Sequence, residues 1–146
     1  MKAIELLAEY VRLRKRIRLL QSQINAKREL AEALSGWPEG DRVQSSHDPD
    51  RIGRAVAELA DREAELLEME TEAIERMDMI ESLLREIENP DGALVIQYKY
   101  IRGMSWDDVA GAMNYSARWV QELKRKAIKE IDRRLLDGRS NMERDF

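Results

Sequence analysis

Residues 94–131 read LVIQYKYIRGMSWDDVAGAMNYSARWVQELKRKAIKEI, and the fold of the chain turns on this stretch. It carries three helical signals in quick succession: Ala93 to Ile101 closing at Gly103, Ser105 to Met113, and Ser116 to about Leu136. Ser105 with Asp108 three residues on resembles a capping box, and Ser116 can cap the third helix, so both starts have a chemical reason. Val109, Met113, Tyr115, Val120 and Leu123 occupy the apolar positions that would hold the second helix against the third. Ala110 is the small residue that lets two helix backbones approach, and Asn114 stands at the turn, where asparagine tolerates a left-handed backbone better than most residues. Short, capped, closely spaced helices of this kind predict a helix-turn-helix.

The stretch resembles region 4 of the bacterial sigma-70 factors. The resemblance rests on Tyr100, Arg102 and Gly103, on Ser105-Trp106-Asp107-Asp108-Val109-Ala110, on Ser116, Val120 and Leu123, and on Lys126-Ala127-Ile128. It covers about a quarter of the chain, and the remainder is too short for the other regions of a complete sigma factor. An N-terminal helical segment joined to such a unit is similar to the small phage transcriptional regulators of the ArpU/RinA type.

The resemblance implies that the third helix lies in the major groove of double-stranded DNA with its early exposed residues facing base edges. Those residues are Ala117, Arg118, Gln121 and Glu122. Arginine can contact guanine through two bonds, glutamine can read adenine, glutamate can accept from cytosine, and alanine can touch a thymine methyl. Lys124, Arg125 and Lys129, with Lys99 and Arg102 from the preceding helix, are the candidates for phosphate contacts that fix register. The bland alternative is that these charges form the solvated face of a surface helix. Trp119 reads as a packing or interface residue, and Trp106, Tyr98 and Tyr100 read as core or rim aromatics.

Toward the N-terminus, Asn89-Pro90-Asp91-Gly92 interrupts the helical pattern and marks the expected boundary between residues 1–89 and 90–137, with 138–146 as a tail. From Ile4 to Leu34 the apolar residues Ile4, Leu7, Val11, Ile17, Leu20, Ile24, Leu30 and Leu34 recur mostly every three or four positions, which predicts a long amphipathic helix ending at Ser35-Gly36. At 1.5 Å per residue it would be about 45 Å long, and a helix of that length needs a partner along it. Residues 36–50 read as a loop, after which Asp48-Pro49 opens a second helix running to about Glu88. Its stripe is Ile52, Val56, Leu59, Leu66, Ala73, Met77, Ile80, Leu84 and Ile87, with Glu63 and Glu70 intruding on the seam.

Charge is segregated along the chain. Residues 1–34 carry eight Lys/Arg against four Glu, residues 51–89 five Arg against twelve Asp/Glu, and residues 94–136 nine Lys/Arg against five Asp/Glu. The net charge of -4 therefore conceals a basic C-terminal segment, and local basic surface is what governs DNA affinity. A basic first helix and an acidic second one suggest an antiparallel, coiled-coil-like hairpin, formed within one chain or between two. The hairpin reads as a spacer or as an oligomerisation element, with a homodimer through the N-terminal helices the expected assembly.

The expected fold class is thus all-α: a long N-terminal helical hairpin followed by a helix-turn-helix domain resembling sigma region 4. Charged residues at 37% and aromatics at 5% suit solvated helices. There is no cysteine, so disulfides and thiolate metal sites are excluded. The one histidine, His47, lies in the polar loop without neighbouring ligands, and no phosphate-binding glycine loop occurs. No metal, no cofactor and no catalytic residues are expected. No apolar run approaches the roughly 20 residues of a bilayer span, so a cytoplasmic protein without membrane contact is expected. The leading expectation is a transcriptional regulator that binds DNA, with RNA polymerase a further candidate partner by analogy. The alternatives are a DNA-packaging component resembling a terminase small subunit, and an adaptor that contacts polymerase without binding DNA.

Overall fold

The computed structural model describes residues 1–35 and 49–144, and every element among them is helical. Helix α1 spans Ala3–Ser35 and α2 spans Pro49–Arg85. A short α3, Pro90–Ile96, runs directly into a π-helical turn, Gln97–Ile101; α4 is Trp106–Met113 and α5 is Ala117–Arg144. The Gly36 cap, the Asp48 cap and His47 lie outside the described residues, as does most of the expected loop; Pro49 and Asp50 are already helical. Helix α5 runs through Gly138 to Arg144, past its expected end near Leu136 and through most of the stretch read as a tail. One glycine in a helix costs only about 1 kcal/mol, and no proline follows to enforce a stop.

Two compact units are present, residues 1–13 with 73–146 and residues 14–72, so the division does not fall at residue 89. The reason is a shared core in the first unit. Ala3, Leu6, Leu7 and Tyr10 of α1 pack with Ile80 and Leu84 of α2, with Ile87, Ile96 and Ile101, and with Ala127 and Ile131 of α5. Each fully buried aliphatic side chain there contributes about 1.5–3 kcal/mol. The helical stripe anticipated Leu7, Ile80, Leu84 and Ile87, but Ile4 is exposed, and Leu6 and Tyr10, off the expected stripe, are buried in its place.

Polar groups of α5 complete this unit. The Asp132 carboxylate accepts from the Ala3 N–H at 2.6 Å, one of the donors that a helix start leaves unpaired. Glu130 accepts from the Glu88 N–H at 2.9 Å, and Arg134 donates to the Glu86 carboxylate at 3.0 Å and to the Glu86 carbonyl at 2.5 Å. Helix α2 stops at Arg85, where Glu86 and Ile87 donate to carbonyls three residues back and tighten the turn. Arg76 donates to Glu9 at 2.6 Å.

In the second unit, Leu20 and Ile24 of α1 are buried, and Arg28 bonds Glu63 through both its Nε, at 3.1 Å, and an Nη. Lys27 faces Glu58 at 3.6 Å. Glu63, an intruder on the apolar seam, is therefore the acceptor of an ion pair formed within one chain. Leu19, Leu30, Val56 and Leu67 are each more than half exposed, and the side chains of Leu34 and Ile52 lie outside the described residues.

Asn89-Pro90-Asp91-Gly92 opens α3 with helix-start chemistry. The Asn89 carboxamide accepts from the Asp91 N–H at 3.0 Å and Pro90 takes the first turn. Gly92 is buried inside α3, where a Cβ would stand 3.3 Å from the Ala127 Cβ and 3.5 Å from the Leu123 carbonyl oxygen. It is glycine because α5 passes this close, whereas the sequence suggested a change of direction.

Candidate nucleic-acid interface

Helix α4 begins at Ser105, whose hydroxyl accepts from the Asp108 N–H at 3.1 Å. It ends at Asn114, held at φ 57° and ψ 41°, which is the left-handed conformation anticipated at the turn. The Tyr115 N–H then donates to the Ala110 carbonyl at 3.1 Å, and the Ser116 hydroxyl starts α5 by accepting from the Trp119 N–H at 3.1 Å. Val109 of α4 and Val120 and Leu123 of α5 are buried together with Val95 of α3, and Ala110 and Met113 pack against them. These contacts fix the start of α5 to α4. Tyr115 departs from its expected place in this core: it is exposed, and its hydroxyl donates to Asp91 at 2.7 Å. That bond, with the negative charge of Asp91, pushes the phenol pKa up.

Along α5, Val120, Leu123, Ala127 and Ile131 form the buried row. At about 100° per residue, Arg118, Arg125 and Lys129 fall within about 40° of one another, roughly opposite that row. Ala117, Arg118, Gln121, Arg125 and Lys129 are exposed, while Glu122 and Lys124 are half-buried. Among the described residues no carboxylate pairs with Arg118. Glu122 and Arg125 are different, for the guanidinium grips the carboxylate through Nε at 3.2 Å and Nη2 at 2.5 Å, with Lys126 at 4.0 Å. The Arg125 bond holds the Glu122 carboxyl below its ordinary pKa, and Glu122 raises that of Arg125. A candidate base reader and a candidate phosphate contact therefore occupy each other. The three-residue spacing was visible in the sequence, and helical neighbours at that spacing pair readily.

Lys99 and Arg102 come from the π-helical turn and the residue after it. There the Arg102 N–H donates to the Gln97 carbonyl, five residues back, at 3.0 Å, and Gly103 takes φ +72°. The Lys99 ammonium lies 5.0 Å from the centre of the Trp106 ring, and the Lys124 ammonium lies 5.1 Å from the same centre. Tyr100 meets Trp106 edge to face, 6.4 Å away at 85°, and Arg102 sits 5.8 Å from the Tyr98 ring. Burial raises the Tyr100 phenol pKa. Trp106 is half-buried at the rim of the core, as its sequence position suggested. Trp119 is 42% exposed, with Lys126 at 5.6 Å from its ring, so it supplies surface and no core packing.

Residues 50–132 match the family described as "Protein of unknown function (DUF1492)". The match spans more than half of the chain. This protein belongs to the DUF1492 family. The DUF1492 match takes in nearly all of α2, all of α3 and α4, and α5 as far as Asp132, the aspartate that caps α1. No curated protein and no solved structure matches the chain. Among the described residues no cluster of three or more His, Cys, Asp or Glu could hold a metal ion, and no helix is long and apolar enough to cross a membrane.

Proposed function

We propose that this DUF1492 protein is a sequence-specific binder of double-stranded DNA that regulates transcription, with α4 and α5 forming a helix-turn-helix like that of sigma region 4. The observation that carries the reading is the start of α5. Arg118 and Gln121 project from a helix whose opposite side is fixed in a buried core, and no carboxylate among the described residues holds Arg118. Base readout needs such a rigid mount, because a bidentate arginine–guanine contact has little geometric tolerance. Lys99, Arg102, Lys124 and Lys129 supply the flanking charge for phosphate. The role is one of binding, carried out in the cytoplasm of a bacterium or phage-infected cell, with no cofactor.

The exposed Leu19, Leu30, Val56 and Leu67 of the second unit are the apolar surface that a homodimer through the N-terminal helices would cover. A two-fold dimer would read paired half-sites about one helical turn apart. The deciding experiment is selection from a randomised duplex pool at near-physiological salt, where non-specific electrostatic binding is weakened. A recurrent motif is the expected result, and its symmetry reports the dimer. A pool that emerges without enrichment overturns base readout by α5.

A further inference from the structure

Lys99 and Lys124 belong to different elements, yet both ammonium groups stand about 5 Å from the centre of one indole ring. Neither has a carboxylate partner among the described residues, whereas Arg125 is held by Glu122. The contrast has a physical meaning. A carboxylate orients a cation but cancels most of its field. An aromatic face attracts the ammonium through its quadrupole and leaves the net charge intact. A lysine already confined in this way also loses less side-chain freedom when it meets a ligand. The ring is itself confined, at 85° to the Tyr100 ring and packed against the core of Val95, Val109, Val120 and Leu123.

We propose that Trp106 is a positioning residue that holds both Lys99 and Lys124 at one ring, as a pair of contacts for the phosphates of a DNA strand. The proposal rests on the DNA-binding reading above and deepens it. Trp106 does not stack on a base; it acts through the two lysines. The π-helical turn contributes by carrying Lys99 to the ring, and Lys124 arrives from the turn of α5 that follows the base-reading residues.

The test uses the full chain and a mixed-sequence duplex, with affinity measured between about 50 and 200 mM salt. Trp106→Leu keeps an apolar, though smaller, side chain but removes the π face, and Trp106→Phe restores a smaller one. Each phosphate contact contributes close to one unit to the salt slope, so Trp106→Leu is expected to lower the slope by about 1 to 2 and Trp106→Phe to recover most of it. In the free protein, the ε-methylene protons of Lys99 and Lys124 should resonate upfield through the ring current, and Trp106→Leu should abolish the shift. A leucine variant that melts lower but keeps the wild-type slope would leave Trp106 a packing residue and overturn the proposal, while DNA binding stands. Failure of the wild-type chain to bind any duplex overturns both readings.

Discussion

Arg118 projects from the outer face of α5 with no carboxylate among the described residues to restrain it, and on the proposed reading its loss should be felt at one base pair. Arg118→Ala is expected to cost about 1–3 kcal/mol on the selected site and to relax preference at a single position, measured by repeating the selection with the variant. Equal weakening on all sequences would reassign Arg118 to phosphate. Glu122 supports the opposite prediction. Glu122→Gln should release Arg125 toward the DNA and steepen the salt slope by about 1. Because the folded pKa of Glu122 is depressed, the pair is fully formed above the unfolded carboxylate value of about 4.3 and is lost as pH falls through the lower folded value. A carbon-13 titration of the Glu122 carboxyl checks the direction. Residue types and spacings were legible here, but which of them would be neutralised depends on rotamers that a sequence does not display.

At the scale of elements, the caps and the turn are local chemistry and can be located from sequence. Ser105, Asn114 and Ser116 each occupy the place that their side chains favour. Ser105→Ala and Ser116→Ala should each cost about 1 kcal/mol in a denaturant titration. Asn114→Val should cost about 1–2 kcal/mol, because a β-branched residue resists φ 57°, and Asn114→Gly should fold at least as stably as the parent. The π-helical turn was not legible: Tyr98, Lys99 and Tyr100 suit an ordinary helix equally well, and the aromatic rings that reward the extra residue find Trp106 and the core only in the folded chain. Gly92 is opaque in sequence for a related reason, since its neighbour is α5, some thirty positions on. Gly92→Leu should destabilise the unit by about 1–3 kcal/mol through overpacking.

For the molecule as a whole, all-helical character followed from composition and periodicity, but the division into units did not. The expected boundary at Asn89-Pro90 follows a chain-local signal, while the core joins Leu7, Leu84 and Ile87 to Ile96, Ala127 and Ile131 through contacts that only the folded chain creates. Leu7→Ala is therefore expected to lower stability by about 2–5 kcal/mol and to unfold α5 in the same transition, although Leu7 lies far from the residues proposed to face DNA in sequence. Thermal melting followed by DNA binding at rising temperature checks this: the two should fail together. Independent melting of the C-terminal helices would contradict the shared core.

Helix α5 is gripped in its second half, where Asp132 caps α1 and Arg134 holds Glu86, and it presents Arg118 at its first turn. From Ile131 to Arg118 the rod measures about 20 Å at 1.5 Å per residue. Its first half is not free: Val120 and Leu123 share a core with Val95 of α3 and Val109 of α4, so these helices shift on that clamp as one body. A tilt of about 5° at the clamp sweeps the far end through roughly 2 Å, more than the width of the distance window in which a hydrogen bond survives. On the DNA-binding reading proposed above, small repacking under the first turn of α1 would thus retune which base pairs are read, with no change to the residues proposed to touch them.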